Sequence, residues 1–235
     1  MRDDRASRRS RRDFMADVGR IASAAAVAAA LTPAAAHAAT APATAEEWDL
    51  SWVALVEKAT DRAVFDWASA GDPNDDIVPQ IATRYLDNCA AVYGRRRYEA
   101  RVVLNARTRA VPVALTDAAW ERFALGAEYG LKDPGTGSPA TRNVFWRRAA
   151  QAPGAPPPPY VVPTLEELVA RGAIILVCDF ALGHLAARLA KKSGASADEV
   201  HAALRSSFVR GAYAVPSGIF GLARAQNAGC AFVRM

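Results

Sequence analysis

The sequence predicts an α/β domain built on a five-stranded, mainly parallel sheet with helices on both faces. Short apolar runs of strand length alternate with longer helical segments, and the run at 173–177 is apolar at every position, as in a strand covered on both faces. The composition, 51% hydrophobic and 23% charged, is that of a globular protein. Alternating strands and helices favour a parallel sheet, because each crossover helix packs on one of its faces.

The first half of the predicted domain carries two strands. In the helix 77–93, which ends before Gly94, apolar residues recur every four positions. A further helix at 111–125 requires Pro112 to lie in its first turn. The apolar residues of the helix 77–93 are Ile77, Ile81, Tyr85 and Cys89. In chain order, the predicted elements are a short amphipathic helix within 46–58, a strand at 63–65, the helix 77–93, a strand at 101–104 and the helix 111–125.

The second half begins with a segment at 132–163 that is dense in Pro and Gly, which predicts an extended surface insertion and not core. Thr164 and Glu167 have the spacing of a capping box. The strand 173–177 should be central, and Asp179 is expected to cap the helix after it. The predicted elements are a helix at 165–171, the strand 173–177, a helix from 179 to Lys191-Lys192, a helix at 197–208, a strand at 212–215, a helix at 219–227 and a strand at 231–233.

The amino terminus has the order of an export signal. Arg11 and Arg12 precede Phe14, a weakly hydrophobic run follows at 21–31, and Ala36-His37-Ala38 offers a cleavage site. This order resembles a twin-arginine (Tat) signal; the alternative is a basic tail with a fortuitous arginine pair. The resemblance implies a signal peptide at 1–38, a linker at 39–46, one domain at 47–235, and export by the Tat translocase to the periplasm or out of the cell. The apolar run is too short for a bilayer core, which needs about 20 residues, so we expect no permanent membrane span.

Charge argues against nucleic-acid binding. Seven arginines and four aspartates lie in the first twenty residues, so most of the net charge of +5 is concentrated there. The rest of the chain is nearly balanced between acidic and basic residues and lacks the excess of Lys and Arg that phosphate backbones require.

Polar and reactive residues follow the predicted strands at the edge where parallel sheets bind ligands, near the point where the strand order reverses. The most informative is Cys178, which lies between the most apolar strand and a helix start, where free amides and the helix dipole stabilise a thiolate. It is a candidate nucleophile, and the alternative is an inert buried thiol. The other residues at these positions are Asp66, Asn105, Arg107, Arg109, Asp179, Pro216 and Ser217.

These other positions have alternatives of their own. Arg107 and Arg109 are candidates for holding an anion such as a sulfur oxyanion, or they are solvated or ion-paired. Ser217 is a candidate ligand contact, but its place before the predicted helix 219–227 favours helix capping.

Two longer stretches of the chain form recognisable motifs. They are Val169-Ala-Arg-Gly-Ala-Ile-Ile-Leu-Val-Cys178 with Leu182, and Gly211-Ala-Tyr-Ala-Val-Pro-Ser-Gly-Ile219 continuing to Gln226, Ala228-Gly229 and Phe232-Val233. In this order and at this separation, the two stretches resemble DsrE-like proteins. The resemblance covers residues 62–234 and implies a flavodoxin-like three-layer sandwich, a homo-oligomer, and Cys178 carrying a sulfane sulfur as a persulfide between a protein donor and acceptor.

Three functions are compatible with these observations. The first is a persulfide carrier or sulfurtransferase using Cys178. The second is a noncatalytic oligomeric binding or assembly protein that contacts a partner through the 132–163 segment, with Phe145 and Trp146. The third is a small-molecule pocket at the strand ends without sulfur transfer.

Metal and dinucleotide sites have little support. Cys89, Cys178 and Cys230 lack the paired spacing of a zinc or Cys-x-x-Cys centre, and no Gly-x-Gly-x-x-Gly follows the first strand. We expect no metal and no bound organic cofactor. A disulfide between Cys89 and Cys230 is one possibility, because the compartments outside the cytoplasm permit disulfide formation. His184 and His201 lie in predicted helices away from an obvious acid or nucleophile, which favours surface or packing roles over a catalytic triad or metal ligation.

Overall fold

The computed structural model describes residues 48–73, 75–147 and 162–234. The predicted signal peptide 1–38 and linker 39–46 lie outside the described residues, as does 148–161 of the predicted insertion. No helix among the described residues is long and apolar enough to cross a membrane.

The sheet has five strands, and every pair of neighbours is parallel, in the order β4-β3-β2-β1-β5. The predicted fold class is confirmed. The third strand is fully buried and lies between β2 and β4, so it is interior although β2 is the middle strand. The strands are β1 Asp61–Trp67, β2 Ala100–Ala106, β3 Ile174–Cys178, β4 Ala212–Val215 and β5 Ala231–Arg234.

The helices cover both faces of the sheet. The crossovers from β1 to β4 all step in one direction and place their helices on one face, whereas the step from β4 back to β5 places α8 on the other face beside α1, as right-handed crossovers require. The helices are α1 Ser51–Glu57, α2 Ile77–Tyr93, α3 Asp117–Arg122, α4 Leu125–Tyr129, α5 Leu165–Ala170, α6 Asp179–Ser193, α7 Ala197–Arg205 and α8 Gly218–Asn227.

The α2 helix has the predicted bounds but a slightly rotated buried face. Asp76 caps its start by accepting the Val78 N–H, and Gly94 ends it in the left-handed region at φ 64°. Ile77 is 55% exposed. The buried face therefore begins one residue later than the pattern of apolar residues indicates, and its buried residues are Val78, Pro79, Ala82, Leu86 and Cys89.

The predicted helix 111–125 is wrong. The chain instead forms a 3-10 helix at Thr108–Ala114, followed by the two short helices α3 and α4. Leu115 is extended and bridges to Phe208, and the Val209 N–H donates to the Ala114 carbonyl at 2.8 Å. This pairing with the chain that follows α7 removes the backbone around 115 from any helix.

Part of the predicted surface insertion belongs to the core. Phe145 is 5% exposed and its ring lies edge-on to Trp67, with centroids 6.1 Å apart. Asn143 holds the loop by donating to the Val113 and Leu115 carbonyls at 2.8 and 2.6 Å and by accepting the Phe145 N–H at 3.0 Å. Satisfied side-chain and backbone hydrogen bonds make this burial tolerable, and Phe145 is consequently not displayed to a partner.

Candidate functional site

A cavity of about 420 Å³ lies at the carboxyl ends of β2, β3 and β4. Its lining comes from residues 107–109 after β2, the start of α6, the start of α8, and side chains of α4. The volume is within the range of about 300–1,000 Å³ that is typical of small-molecule sites. This cavity lies at the edge of the sheet that the strand-end rule indicates. The strand order reverses elsewhere, between β1 and β5.

Cys178 is both the last residue of β3 and the N-cap of α6. Its Sγ accepts the N–H of Ala181 at 3.4 Å. The thiol is 5% exposed and lines the cavity. Cys178 is therefore buried within the fold, yet it faces the cavity, and the first turn of the helix donates one amide hydrogen to its sulfur.

Asp179 does not cap α6 as expected, because Cys178 occupies the N-cap position. The Asp179 carboxylate instead pairs with His201 Nε2 at 3.0 Å and with Arg205 Nε at 3.5 Å. It joins α6 to α7 and is not among the residues that line the cavity. The expectation that His201 lies away from an acid is also wrong, since the two residues are brought together by the packing of these helices.

Arg107 lines the cavity and is ion-paired. Its Nε and Nη2 donate to the two carboxylate oxygens of Asp66 at 2.6 and 2.7 Å. The hydrogen bond to Asp66 raises the pKa of Arg107, and the Arg107 guanidinium lowers the pKa of Asp66. Such a bidentate pair fixes the guanidinium in one orientation.

Two glycines allow α8 to approach Asn105 of β2 and the following residue Arg107 closely. A Cβ at Gly218 would lie 2.8 Å from Cβ and Cδ of Arg107, and a Cβ at Gly221 would lie 2.7 Å from the Asn105 Oδ1. Asn105 is fully buried beneath α8 and does not line the cavity. It lies near the end of β2, as predicted.

Arg109 and Arg188 both lie against the ring of Tyr129. Their guanidinium carbons are 5.4 and 5.9 Å from its centroid, within the distance of a cation–π contact. Arg188 Nε also donates to Glu128 Oε1 at 2.9 Å. Among the described residues, no carboxylate forms an ion pair with Arg109.

Some residues that line the cavity were missed by sequence reasoning, among them Glu128 and Tyr129 of α4 and Arg188 of α6. Burial alone would raise the pKa of Glu128, but hydrogen bonds from Lys192 and Arg188 outweigh it and lower that pKa. Burial raises the pKa of Tyr129. Glu128, Tyr129 and Arg188 do not follow strands, so the strand-end rule gives no signal for them.

Pro216 and Ser217 play structural roles at the start of α8. Ser217 Oγ accepts the Phe220 N–H at 3.2 Å, which confirms the capping role, and Ser217 also lines the cavity. The Pro216 carbonyl accepts the Phe180 N–H at 3.3 Å, and Pro216 does not line the cavity. This hydrogen bond joins the starts of α6 and α8.

Large apolar side chains surround the mouth of the cavity. Phe180 is 68% exposed and Ile219 is 79% exposed. The His184 ring lies edge-on to Phe180, with centroids 4.7 Å apart, and also lines the cavity. The site therefore combines arginines with exposed apolar groups.

The other two cysteines lie elsewhere, and all three are free thiols. Burial raises the pKa of Cys89, and it raises the pKa of Cys230 to about 11. The disulfide between Cys89 and Cys230, which the sequence left as a possibility, is not formed. Within the described ranges, no group of three or more His, Cys, Asp or Glu residues is placed to hold a metal ion.

Comparison with known proteins adds little to this geometry. No profile of a known protein family matches the chain, and no curated protein matches it. A solved structure that is similar to it is MTH1491, a protein of unknown function from Methanobacterium thermoautotrophicum, with 16% identity over 74% of this chain and 99% of that chain and a TM-score of 0.32. A similarity at this level assigns no function.

Proposed function

We propose that this protein is a sulfur carrier of the DsrE-like type, in which Cys178 holds sulfane sulfur as a persulfide. One observation carries the proposal: Cys178 ends a buried strand, caps the next helix with its sulfur, and lines a cavity that arginines also line. Helix amides and nearby cations are the surroundings that stabilise a thiolate, which is the reactive form of cysteine.

Loading of Cys178 needs only a sulfane donor and the Cys178 thiolate, and release of the sulfur needs only an acceptor thiolate. Cys178 Sγ attacks the outer sulfur of a sulfane donor. A new S–S bond forms, and the bond between that sulfur and the rest of the donor breaks, with its electron pair leaving on the donor fragment. An acceptor thiolate then attacks the outer sulfur and releases Cys178 as a thiolate.

The two DsrE-like stretches support the proposal because they build the site. The first forms β3 and the Cys178 cap, and the second forms β4 and the start of α8. Both contribute residues to the cavity. The resemblance and the site therefore rest on the same segments of chain.

Persulfide loading tests the proposal. The reduced full-length protein is incubated with inorganic polysulfide, separated from the reagent and measured by intact mass, and the modified peptide is then identified. We expect a gain of one sulfur atom at Cys178, absent in Cys178→Ser and retained in the matched control Cys230→Ser. Loading that persists in a folded Cys178→Ser variant, or fails altogether in the native protein, would favour the noncatalytic binding or assembly function.

We also propose export through the Tat pathway to the periplasm or beyond the membrane, on the strength of Arg11, Arg12 and the run that follows them. Replacing both arginines with lysine keeps the charge of the segment. If the segment is a Tat signal, this variant accumulates in the cytoplasm with its signal uncleaved, whereas Arg8→Lys with Arg9→Lys is exported normally. Equal export of both variants would contradict the proposal.

A further inference from the structure

We infer that the cavity binds an organic sulfane donor, a molecule with an apolar body of about the size of a phenyl ring and an anionic group held by Arg109. This inference rests on the proposed function, because it names the class of molecule that delivers sulfur to Cys178. Size, wall chemistry and charge each support it.

The size of the cavity suits an organic molecule. A volume of about 420 Å³ is typical of sites for small organic ligands. An inorganic oxyanion such as thiosulfate, with about five heavy atoms, would leave most of this space to water. A donor with a ring-sized body would occupy the space between the arginines and the mouth.

The apolar groups at the mouth are placed to contact such a body. Phe180 and Ile219 each lie at the second position of a helix, α6 and α8 respectively, and both line the cavity. They are 68% and 79% exposed. Because apolar surface gains free energy when it leaves water, an apolar ligand between them would bind more tightly than a polar one.

Charge identifies the anion-binding residue. Arg107 is neutralised by Asp66, and Glu128 pairs with both Arg188 and Lys192. Arg109 contacts the Tyr129 ring, and no carboxylate of the described part of the chain pairs with it. Arg188, which also lines the cavity, lies against the same ring, so an anion at Arg109 would lie near a second guanidinium.

Three donors with the same reacting sulfur test the inference: thiosulfate, the methanethiosulfonate anion and the benzenethiosulfonate anion. In each, the Cys178 thiolate forms a bond to the outer sulfur, the bond from that sulfur to the sulfonyl sulfur breaks, and sulfite or a sulfinate leaves with the electron pair. No oxidant or reductant is consumed. The rate of persulfide formation at Cys178 is measured by quenched mass spectrometry and divided by the rate for N-acetylcysteine.

We expect the normalised rate with benzenethiosulfonate to exceed that with methanethiosulfonate by about tenfold, which corresponds to about 1.4 kcal/mol. Phe180→Ser or Ile219→Ser should remove most of this preference, whereas Phe232→Ser, which removes a 45% exposed ring on β5, should keep it. Reaction of Cys178 with iodoacetamide, which is uncharged and small, should be the same in all these variants.

The role of Arg109 has its own matched control. Arg109→Gln should slow loading by both organic anions several-fold, because it removes the cation that binds them. Arg122→Gln should not, although the Arg122 guanidinium also lies over an aromatic ring, that of Phe123 at 4.9 Å. Iodoacetamide again reports whether Cys178 itself has changed.

The outcomes separate the inference from the proposed function. Equal normalised rates for the three donors, or a preference that survives both mouth variants, would overturn the inference and leave the sulfur carrier standing. An Arg109→Gln variant that loads at the native rate would overturn the assignment of the anion-binding residue. If none of the donors loads Cys178 and polysulfide also fails, the proposed function falls with it.

Discussion

Cys178 and Cys230 lie at two junctions between a helix and a strand, and they are almost equally buried, at 5% and 6% exposed. Cys178 lies at the amino end of α6, where it accepts an amide hydrogen and faces a cavity. Cys230 follows the carboxyl end of α8, packs in the smaller apolar cluster and has a pKa raised to about 11 by burial. Exposure therefore does not distinguish these thiols, whereas the end of the helix that each one meets does.

Alkylation of the native protein is the strongest test of this contrast. A thiol with a pKa of about 11 is ionised in about one molecule in a thousand at pH 8, and Cys230 is not among the residues that line the cavity beside Cys178. We expect iodoacetamide to modify Cys178 at least about 100-fold faster than Cys230, as measured by peptide mapping over time.

The pH dependence sharpens the same test. The rate at Cys230 should keep rising with pH toward about 11, because its thiolate fraction keeps increasing. If Cys230 is modified first in protein that circular dichroism shows to be folded, the contrast between the two junctions is wrong.

The helix α8 begins at the cavity and ends shortly before Cys230. Its close packing on the sheet requires glycine at position 221. In Gly221→Ala the new Cβ would lie 2.7 Å from Asn105 Oδ1 and 3.2 Å from Val215 Cγ2. We expect the free energy of unfolding to fall by about 1–3 kcal/mol, as for other overpacked sites. The measurement is denaturant unfolding followed by circular dichroism.

Gly183→Ala is the matched control, because it also lies within a helix, α6, but has no atom within 4 Å of the added Cβ. It should raise the free energy of unfolding by about 0.5–1 kcal/mol through the helix propensity of alanine. Equal effects of the two substitutions would contradict the close packing of α8.

Serine at each cysteine position compares the two junctions directly. Cys230→Ser places a hydroxyl in an apolar cluster and should cost about 1–3 kcal/mol in the free energy of unfolding. Cys178→Ser should change it by less than about 0.5 kcal/mol, because serine is a preferred N-cap and its oxygen can accept the Ala181 N–H. A larger loss for Cys178→Ser than for Cys230→Ser in denaturant unfolding would reverse the comparison.

The sequence predicts those parts of the site that depend on strand ends. Cys178 ends β3, Arg107 and Ser217 follow β2 and β4, and the parallel sheet brings them to one edge. Tyr129 and Arg188 depend on how α4 and α6 pack, and α4 begins only at the last residue of the predicted helix 111–125. The short-range apolar pattern carries no information about a break that is imposed by pairing with residues 207–209.

The same limit explains the error in the 132–163 segment. Its Pro and Gly content correctly indicates irregular backbone. The burial of its side chains, however, depends on which distant residues the loop hydrogen-bonds to. Asn143 satisfies the backbone around Val113 and Leu115, which are distant in sequence. Only the folded chain reveals this contact, which buries Phe145 against Trp67.

A small expected change in the free energy of unfolding concerns the ion pair between Asp66 and Arg107, which lies beside the cavity that Cys178 lines. The Arg107 guanidinium lowers the pKa of Asp66 in the folded protein. The pair therefore stabilises the fold above the ordinary aspartate pKa of 3.8, and this stability is lost as the pH falls through the lower, folded pKa. Asp66→Asn should cost about 1 kcal/mol at pH 7, and its difference from the native protein should shrink below about pH 4.

Asp87→Asn provides the control for that ion pair, since Asp87 pairs with Arg171 on the surface and is 60% exposed. Exposed pairs of this kind contribute about 0–1 kcal/mol. If the free energy of unfolding of Asp66→Asn follows that of the native protein at every pH, the Asp66–Arg107 pair does not stabilise the site. The fixed orientation of Arg107 beside Cys178 would then need another cause, and the electrostatic difference between the two cysteine junctions would rest on the helix ends alone.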